Sequence, residues 1–408
     1  MKDIKLFMGL PKNTRTLLLT SFLYAFVLPI IDIFVAAYIM RNSADVGRVV
    51  LYQLTVYTGI PITFFINGFL LNKVDPGKLY AFGMLLSGLS MLIMTSLPVL
   101  NFAGIAVAGL IMGISFGFFW ANRDYLVLIC TTDANRNYYY GLETFFNTFT
   151  LVVVPIAVGW FIQFSEQLAW VDNVNGAYKV IIYIVIAITI VASLLINTGD
   201  YVKPQKSRFV FFKYDRLWYK MLLVAVCKGL VQGFIVTAPA MLIMKIVGGE
   251  GALGTVQGIG SLITAVLMYV IGRNSKPEHR LLIYAISVLL FVAGSLINSI
   301  FFNVTSVLLF LLLMTVARPL FDLAYFPLQM RVIDYLKEKE KRNEYSYIFN
   351  HECGLYVGRF LGCGTFILIN YCISDDAALI VTLPLVTILQ ALSYFVVKNI
   401  LNSINKPS

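Results

Sequence analysis

Long apolar runs, each closed by a short polar turn, recur along the whole chain. Crossing roughly 30 Å of hydrocarbon as a helix takes about 20 residues. On that ruler twelve spans are predicted: 15–40, 46–72, 79–98, 100–130, 139–164, 177–197, 217–247, 253–273, 280–300, 306–336, 344–372 and 378–398. Several are longer than the ruler requires, so tilt or extension beyond the hydrocarbon is expected. Of the 408 residues, 59% are hydrophobic and only 13% charged, against about one quarter charged in a soluble domain. The fold class predicted is therefore an all-α integral membrane protein, because lipid forces each backbone polar group to find its partner within its own helix. The basic start, "MKDIKLFMGLPKNTRTLLLT", runs into an apolar stretch long enough to span and without a small-residue cleavage site, so it reads as a retained helix.

The formal charge of +10 raises nucleic acid as a partner, but its placement argues against that. With the N-terminus inside, twenty-two Lys and Arg residues fall in cytoplasmic segments and only Arg41, Arg48, Lys179 and Lys245 on the other side. That asymmetry is the positive-inside pattern, with both termini cytoplasmic. The longest polar interruption, "NTGDYVKPQKSRFVFFKYDRLWYK" from Asn197, sits near mid-chain and carries Lys203, Lys206, Arg208, Lys213, Arg216 and Lys220. It reads as a cytoplasmic linker, and such a basic cluster also attracts acidic headgroups. The flanking halves echo each other. "RNYYYG" at 136–141 and "RNEYSY" at 342–347 lie 206 residues apart, and Trp120 and Phe326 share that offset. Two six-span repeats in parallel orientation are a transporter architecture. Five scattered cysteines without C-x-x-C spacing and two distant histidines, His279 and His351, give no metal site and no cofactor.

The loop "GFLLNKVDPGK" at 68–78 carries a family resemblance. The chain resembles the major facilitator superfamily, whose loop between the second and third spans has the pattern G-x-L-x-D-R/K-x-G-R/K-R/K. Gly68, Leu70, Lys73, Gly77 and Lys78 match it, Asn72 stands where the family has Asp, and Asp75 with Pro76 departs from it. Gly68 would permit close helix contact, Gly77 a tight turn, and Lys73 and Lys78 would pair with carboxylates, forming a conformational gate loop. Only a remnant, "GRNSKPEHR" at 272–280, occupies the matching loop of the second half, and "VVVPIAVGW" keeps just Pro155 and Gly159 of the antiporter motif. The resemblance implies twelve transmembrane helices in two pseudo-symmetric six-helix bundles, 1–196 and 217–408, joined by a linker at 197–216. It also implies a central cavity reached by alternating access, lined by spans 1, 4, 7 and 10 and flanked by 2, 5, 8 and 11. A monomer in the cell (inner) membrane is expected.

Nine charges within the spans stand out, because an isolated charge there costs about 2.5–3.5 kcal/mol on insertion scales. They are Asp32, Arg123, Asp124, Glu143, Lys228, Arg318, Asp322, Glu352 and Arg359. All fall on the eight cavity-lining or flanking helices that the resemblance implies. Arg318 and Asp322, at i and i+4, share one face of the tenth span, either as a structural pair or as substrate ligands. Glu143, Asn147 and Thr150, then Gln257, Ser261 and Thr264, then Glu352, Tyr356 and Arg359, form polar stripes at i, i+4, i+7. Arg123, Lys228, Gln232, Arg318, Asp322, Arg359, Trp120 and Asn147 are the candidate substrate-binding residues. Asp32, Asp124, Glu143 and Glu352 are the candidates for proton coupling. Asp32 leads because no basic group lies within helical reach in its own span, and Lys228 is offered as its counter-ion across the pseudo-twofold.

These residues predict a secondary active transporter of a small polar organic solute, sugar-like, zwitterionic or weakly anionic, coupled to protons ahead of sodium. Efflux of amphipathic compounds or movement of a lipid-linked molecule is the alternative, supported by 31 Phe and 23 Tyr. A non-transporting receptor would not need paired charges in both halves. An enzyme would need a nucleophile–base constellation, and none is visible.

Overall fold

The computed structural model describes residues 7–71, 73–131, 133–202, 210–274, 277–342 and 344–405. Asn72 of the gate-loop motif and Lys203, Lys206 and Arg208 of the linker lie outside them. Among the described residues, twelve helices are long and apolar enough to cross a membrane. In chain order they are α1 Lys12–Ser43, α2 Val46–Leu70, α3 Pro76–Ser96, α4 Phe102–Cys130, α5 Asp133–Gln167, α6 Val174–Ile196, α7 Arg216–Val247, α8 Glu250–Asn274, α9 Arg280–Phe301, α10 Val304–Glu340, α11 Glu344–Cys372 and α12 Asp375–Asn405. Each coincides with a predicted span to within a few residues at most ends. Short polar side chains start many of them. Asn101, Asn173 and Asp215 accept from Gly104, Gly176 and Leu217 N–H at 2.7, 3.0 and 2.8 Å. Asn303 and Ser306 satisfy each other's backbone in a capping box.

Helix neighbours in the first half reappear in the second when six is added to each number. The packed pairs α3–α4, α3–α6, α1–α6, α1–α5 and α5–α6 correspond to α9–α10, α9–α12, α7–α12, α7–α11 and α11–α12. The two halves are thus pseudo-symmetric six-helix bundles. The compact units nonetheless exchange helix ends. One holds Met1–Ser43, Thr58–Lys206 and Gly249–Gly258, and the other Ala44–Tyr57, Ser207–Gly248 and Ile259–Ser408. The first turns of α8 therefore belong to the first unit, and the first half of α2 to the second.

The first helix of each half breaks in the same way. Regular α-helix stops at Ala25 in α1 and at Ile235 in α7. Those are the residues four before Pro29 and Pro239, where the proline ring would strike the carbonyl of a continuing helix. Both helices then resume and pass through a π-helical turn, Ile30–Phe34 and Ile243–Val247. Asp32 sits in the first of these turns. It is exposed while Ile30, Ile31, Ile33 and Phe34 around it are buried. Single π turns of this kind concentrate at functional positions.

Candidate functional site

In the second unit, α7 and α11 cross with their backbones almost touching. A Cβ on Gly358 would lie 2.0 Å from the Val226 carbonyl oxygen, and one on Gly362 2.2 Å from that of Leu230. On α7, a Cβ on Gly229 would lie 2.3 Å from the Leu355 carbonyl oxygen. The glycines repeat as G-x-x-x-G at 229–233 and at 354–358–362, the small-residue spacing that lets membrane helices approach closely.

That crossing sets Arg359 beside Gln232. Oε1 of Gln232 accepts from Arg359 Nε and Nη2 at 3.2 and 3.0 Å, and Glu352 Oε2 accepts from Nη1 at 3.4 Å. The guanidinium also lies 4.6 Å from the centre of the Tyr57 ring, whose hydroxyl donates to the Gln232 carbonyl at 3.0 Å. One helical turn earlier on α7, Lys228 Nζ donates to Asp322 Oδ1 at 2.8 Å. The ammonium rests over the rings of Phe326 and Tyr325, 3.9 and 4.2 Å from their centres, a favourable seat for a desolvated cation. Tyr325 and buried His351 share a hydrogen bond behind it. Asp322 is thus paired with Lys228, and not with Arg318 on its own helix. Lys228 thus takes a carboxylate from α10 within its own unit. Arg318 is exposed.

The first unit has a smaller counterpart. Both carboxylate oxygens of buried Glu143 accept from Arg123, which also donates to Asp124 at 2.6 Å. The Arg123 guanidinium lies 5.9 Å from the Trp120 ring centre and 5.8 Å from that of Tyr140. Trp120 and Phe326, the pair 206 residues apart, are both exposed aromatics with a cation over the ring. The sequence echo therefore marks a shared local geometry. Asn147 is half-buried, one turn beyond Glu143 on α5.

The gate-loop motif is built differently from its expected form. Gly77 does not make a tight turn, and no described glycine occupies the left-handed region. It lies in the first turn of α3, capped by Asp75 with Pro76 behind it. A Cβ there would fall 2.6 Å from the Tyr201 ring, so Gly77 makes room for that side chain. The departures from the family pattern, Asp75 and Pro76, are what start the helix. Gly68 is half-buried in α2, and Lys73 and Lys78 are exposed.

A buried carboxylate in the first unit was not anticipated. Glu250, in the part of α8 that belongs to the first unit, accepts both Arg41 Nε and Nη2 and the Tyr178 hydroxyl at 3.1 Å. Its side chain is 2% exposed against 36% for Arg41. The signal available in the sequence was Gly254 and Gly258 at G-x-x-x-G spacing one turn on. A Cβ on Gly254 would lie 2.1 Å from the Pro155 carbonyl oxygen, and one on Gly159 2.4 Å from that of Glu250. The exposure difference predicts an asymmetry. Arg41→Gln leaves a buried carboxylate unmatched and is expected to lower the thermal midpoint more than Glu250→Gln, which leaves a cation that water can reach. Equal losses by differential scanning fluorimetry would contradict it.

Twelve helices in two repeated bundles, with charges gathered inside the spans, form the fold of a membrane transporter. The Major Facilitator Superfamily profile matches residues 16–363, and the chain belongs to that family. It is 22% identical to the uncharacterized protein YqgE of Bacillus subtilis (strain 168), over 95% of this chain and 90% of that one. Among solved structures it resembles the nucleoside transporter NupG, with a TM-score of 0.70 at 11% identity, covering 95% of this chain and 99% of that one. It also resembles the E. coli fucose:proton symporter FucP, with a TM-score of 0.60 at 15% identity, covering 97% and 98%.

Proposed function

We propose that this protein is a secondary active transporter of a small polar organic solute, driven by the proton gradient through alternating access. The observation that carries the reading is the gathering of intramembrane charges into two clusters, on α4–α5 and on α7–α10–α11. In each, cations are matched by carboxylates while an aromatic ring and a charged side chain stay open. Pairing offsets the cost of charge inside a membrane, and the open side chains supply both donors and acceptors to a polar ligand. Two structural neighbours carry names with polar cargo, a nucleoside transporter and a fucose:proton symporter.

In this reading the sequence halves 1–196 and 217–408 rock against each other about the connector 197–216, with the gate motif of Gly68, Asn72, Lys73, Gly77 and Lys78 regulating the movement. Both termini face the cytoplasm of the cell membrane, as the distribution of Lys and Arg supports. Substrate is held by Arg123, Lys228, Gln232, Arg318, Asp322 and Arg359, with Trp120 and Asn147. Asp32 carries the proton, with Asp124, Glu143 and Glu352 as further carboxylates within the spans. Its support is a carboxyl exposed in a π turn of a span that is otherwise well packed.

The test is transport by the purified protein in sealed vesicles under an imposed pH gradient, across sugars, nucleosides, amino acids and hydroxy acids. At least one is expected to accumulate. Asp32→Asn is expected to stop gradient-driven accumulation while sparing exchange of solute already on both sides. Accumulation by the Asn variant with unchanged pH dependence would move the coupling role elsewhere, and no movement of any solute would remove the transporter reading.

A further inference from the structure

The second unit's cluster contains three cations and two carboxylates, and the way they pair leaves one cation over. Lys228 is taken by Asp322 and by the faces of Phe326 and Tyr325. Arg359 commits all three guanidinium nitrogens, one to Glu352 and two to Gln232. Arg318 makes no ion pair among the described residues, although Asp322 lies one turn away on the same face of α10. The geometry points to Arg318 as the docking residue for an acidic group on the transported solute, a carboxylate or a phosphate.

Three features favour an oxyanion over a neutral hydroxyl compound at this position. Arg318 is exposed near the middle of a long apolar helix, so its charge is met by water or ligand instead of by a protein carboxylate. It lies one turn from Asp322, the partner of Lys228, which places it on the side of α10 that carries the cluster. Its planar fork of donors matches a carboxylate or phosphate edge in two parallel hydrogen bonds, which no single hydroxyl can do. The spare positive charge is thus held open beside side chains already matched to each other. Recognition of the rest of the solute would fall to those neighbours, with Phe326 offering an exposed ring and Asp322 a partly exposed acceptor.

This inference rests on the transporter reading and is tested so that the two can fail separately. Thermal shifts of the purified protein would be measured with matched probes: glucuronate against glucose, lactate against lactamide, and adenosine 5′-monophosphate against adenosine. The wild type, Arg318→Gln and Arg318→Lys would be compared. At least one acid is expected to stabilise the wild type while its neutral partner does not, and the carboxylate and phosphate arms tell the two chemistries apart. Arg318→Gln should weaken that acid's binding by about tenfold or more, the loss of a charge-assisted pair. Arg318→Lys keeps the charge without the fork and should lie between. A neutral partner that stabilises as well as its acid, or an acid shift that survives Arg318→Gln, would overturn the inference and leave the transporter reading standing. A panel in which no acid acts on the wild type would overturn it as well, with vesicle uptake still deciding whether the protein transports.

Discussion

Gly358→Val is expected to destabilise the protein severely and to abolish transport. Even the first added carbon would lie 2.0 Å from the Val226 carbonyl oxygen, 2.8 Å from the Leu230 nitrogen and 2.9 Å from the Gly229 Cα. All three obstructing atoms are backbone, so no rotamer change can relieve the clash and the helices must separate. Overpacking of this kind typically costs about 1–3 kcal/mol and sometimes more, and a rigid helix crossing belongs at the upper end. Function suffers as well, because Arg359 is the next residue and its bonds to Gln232 depend on the α7–α11 distance. Gly364 is the control: the same helix, with nothing within 4 Å of an added Cβ. Gly364→Ala is expected to express, melt and transport as the wild type does. Thermal unfolding in detergent, read beside vesicle uptake, checks both. A Gly358→Val protein as stable as Gly364→Ala would show that the crossing is looser than described.

The second large effect concerns Lys228 and Asp322, whose side chains are 10% and 37% exposed. Removing one partner of a buried pair leaves the other charge uncompensated, at about 3–5 kcal/mol. Water reaching Asp322 moderates this, so Asp322→Asn is expected to cost roughly the lower figure of that range. What remains is a desolvated ammonium held only by aromatic faces. Lys228→Met should cost less, since the surviving carboxylate is the better hydrated of the two. The double variant should regain most of the lost stability, because two neutral side chains need no counter-charge. Transport is expected to fail in all three. A double variant no more stable than Asp322→Asn would mean the pair is not coupled. Uptake retained in Asp322→Asn would remove Asp322 from the substrate site.

A weaker electrostatic contact closes the entrance to α7. Lys339 donates to Asp215 at 2.8 Å. That bond, with the Leu217 N–H, holds the Asp215 carboxyl below its ordinary range. A depressed carboxylate contributes stability that is present at neutral pH and disappears as pH falls through its folded value. Lys339 is exposed and Asp215 half-buried, so solvent screens the pair and the contribution is small.

The sequence by itself determined the number, order and ends of the spans, because a helix in lipid needs only a sufficient length of apolar side chains, and length is read along the chain. It also determined which helices carry charge and, through the pair Trp120 and Phe326, that the halves repeat a local pattern. The breaks in α1 and α7 were not legible from proline alone: helix is interrupted before Pro29 and Pro239, whereas Pro61, Pro155, Pro319, Pro327 and Pro384 lie inside unbroken helices. What only the tertiary structure decided is which charge meets which. Asp322 lies four residues from Arg318 yet pairs with Lys228, 94 positions away, and Arg41 reaches Glu250 across 209. Such partners depend on how two helices rotate and slide against each other. That register is set by where glycines let backbones approach, at Gly229 and Gly358 or at Gly159 and Gly254. The spacing of those glycines is visible in the sequence, but which helix fills each gap is not. The same packing carries the ends of α2 and α8 into the opposite units, an exchange that no linear pattern encodes because it arises from contacts between helices distant in the chain.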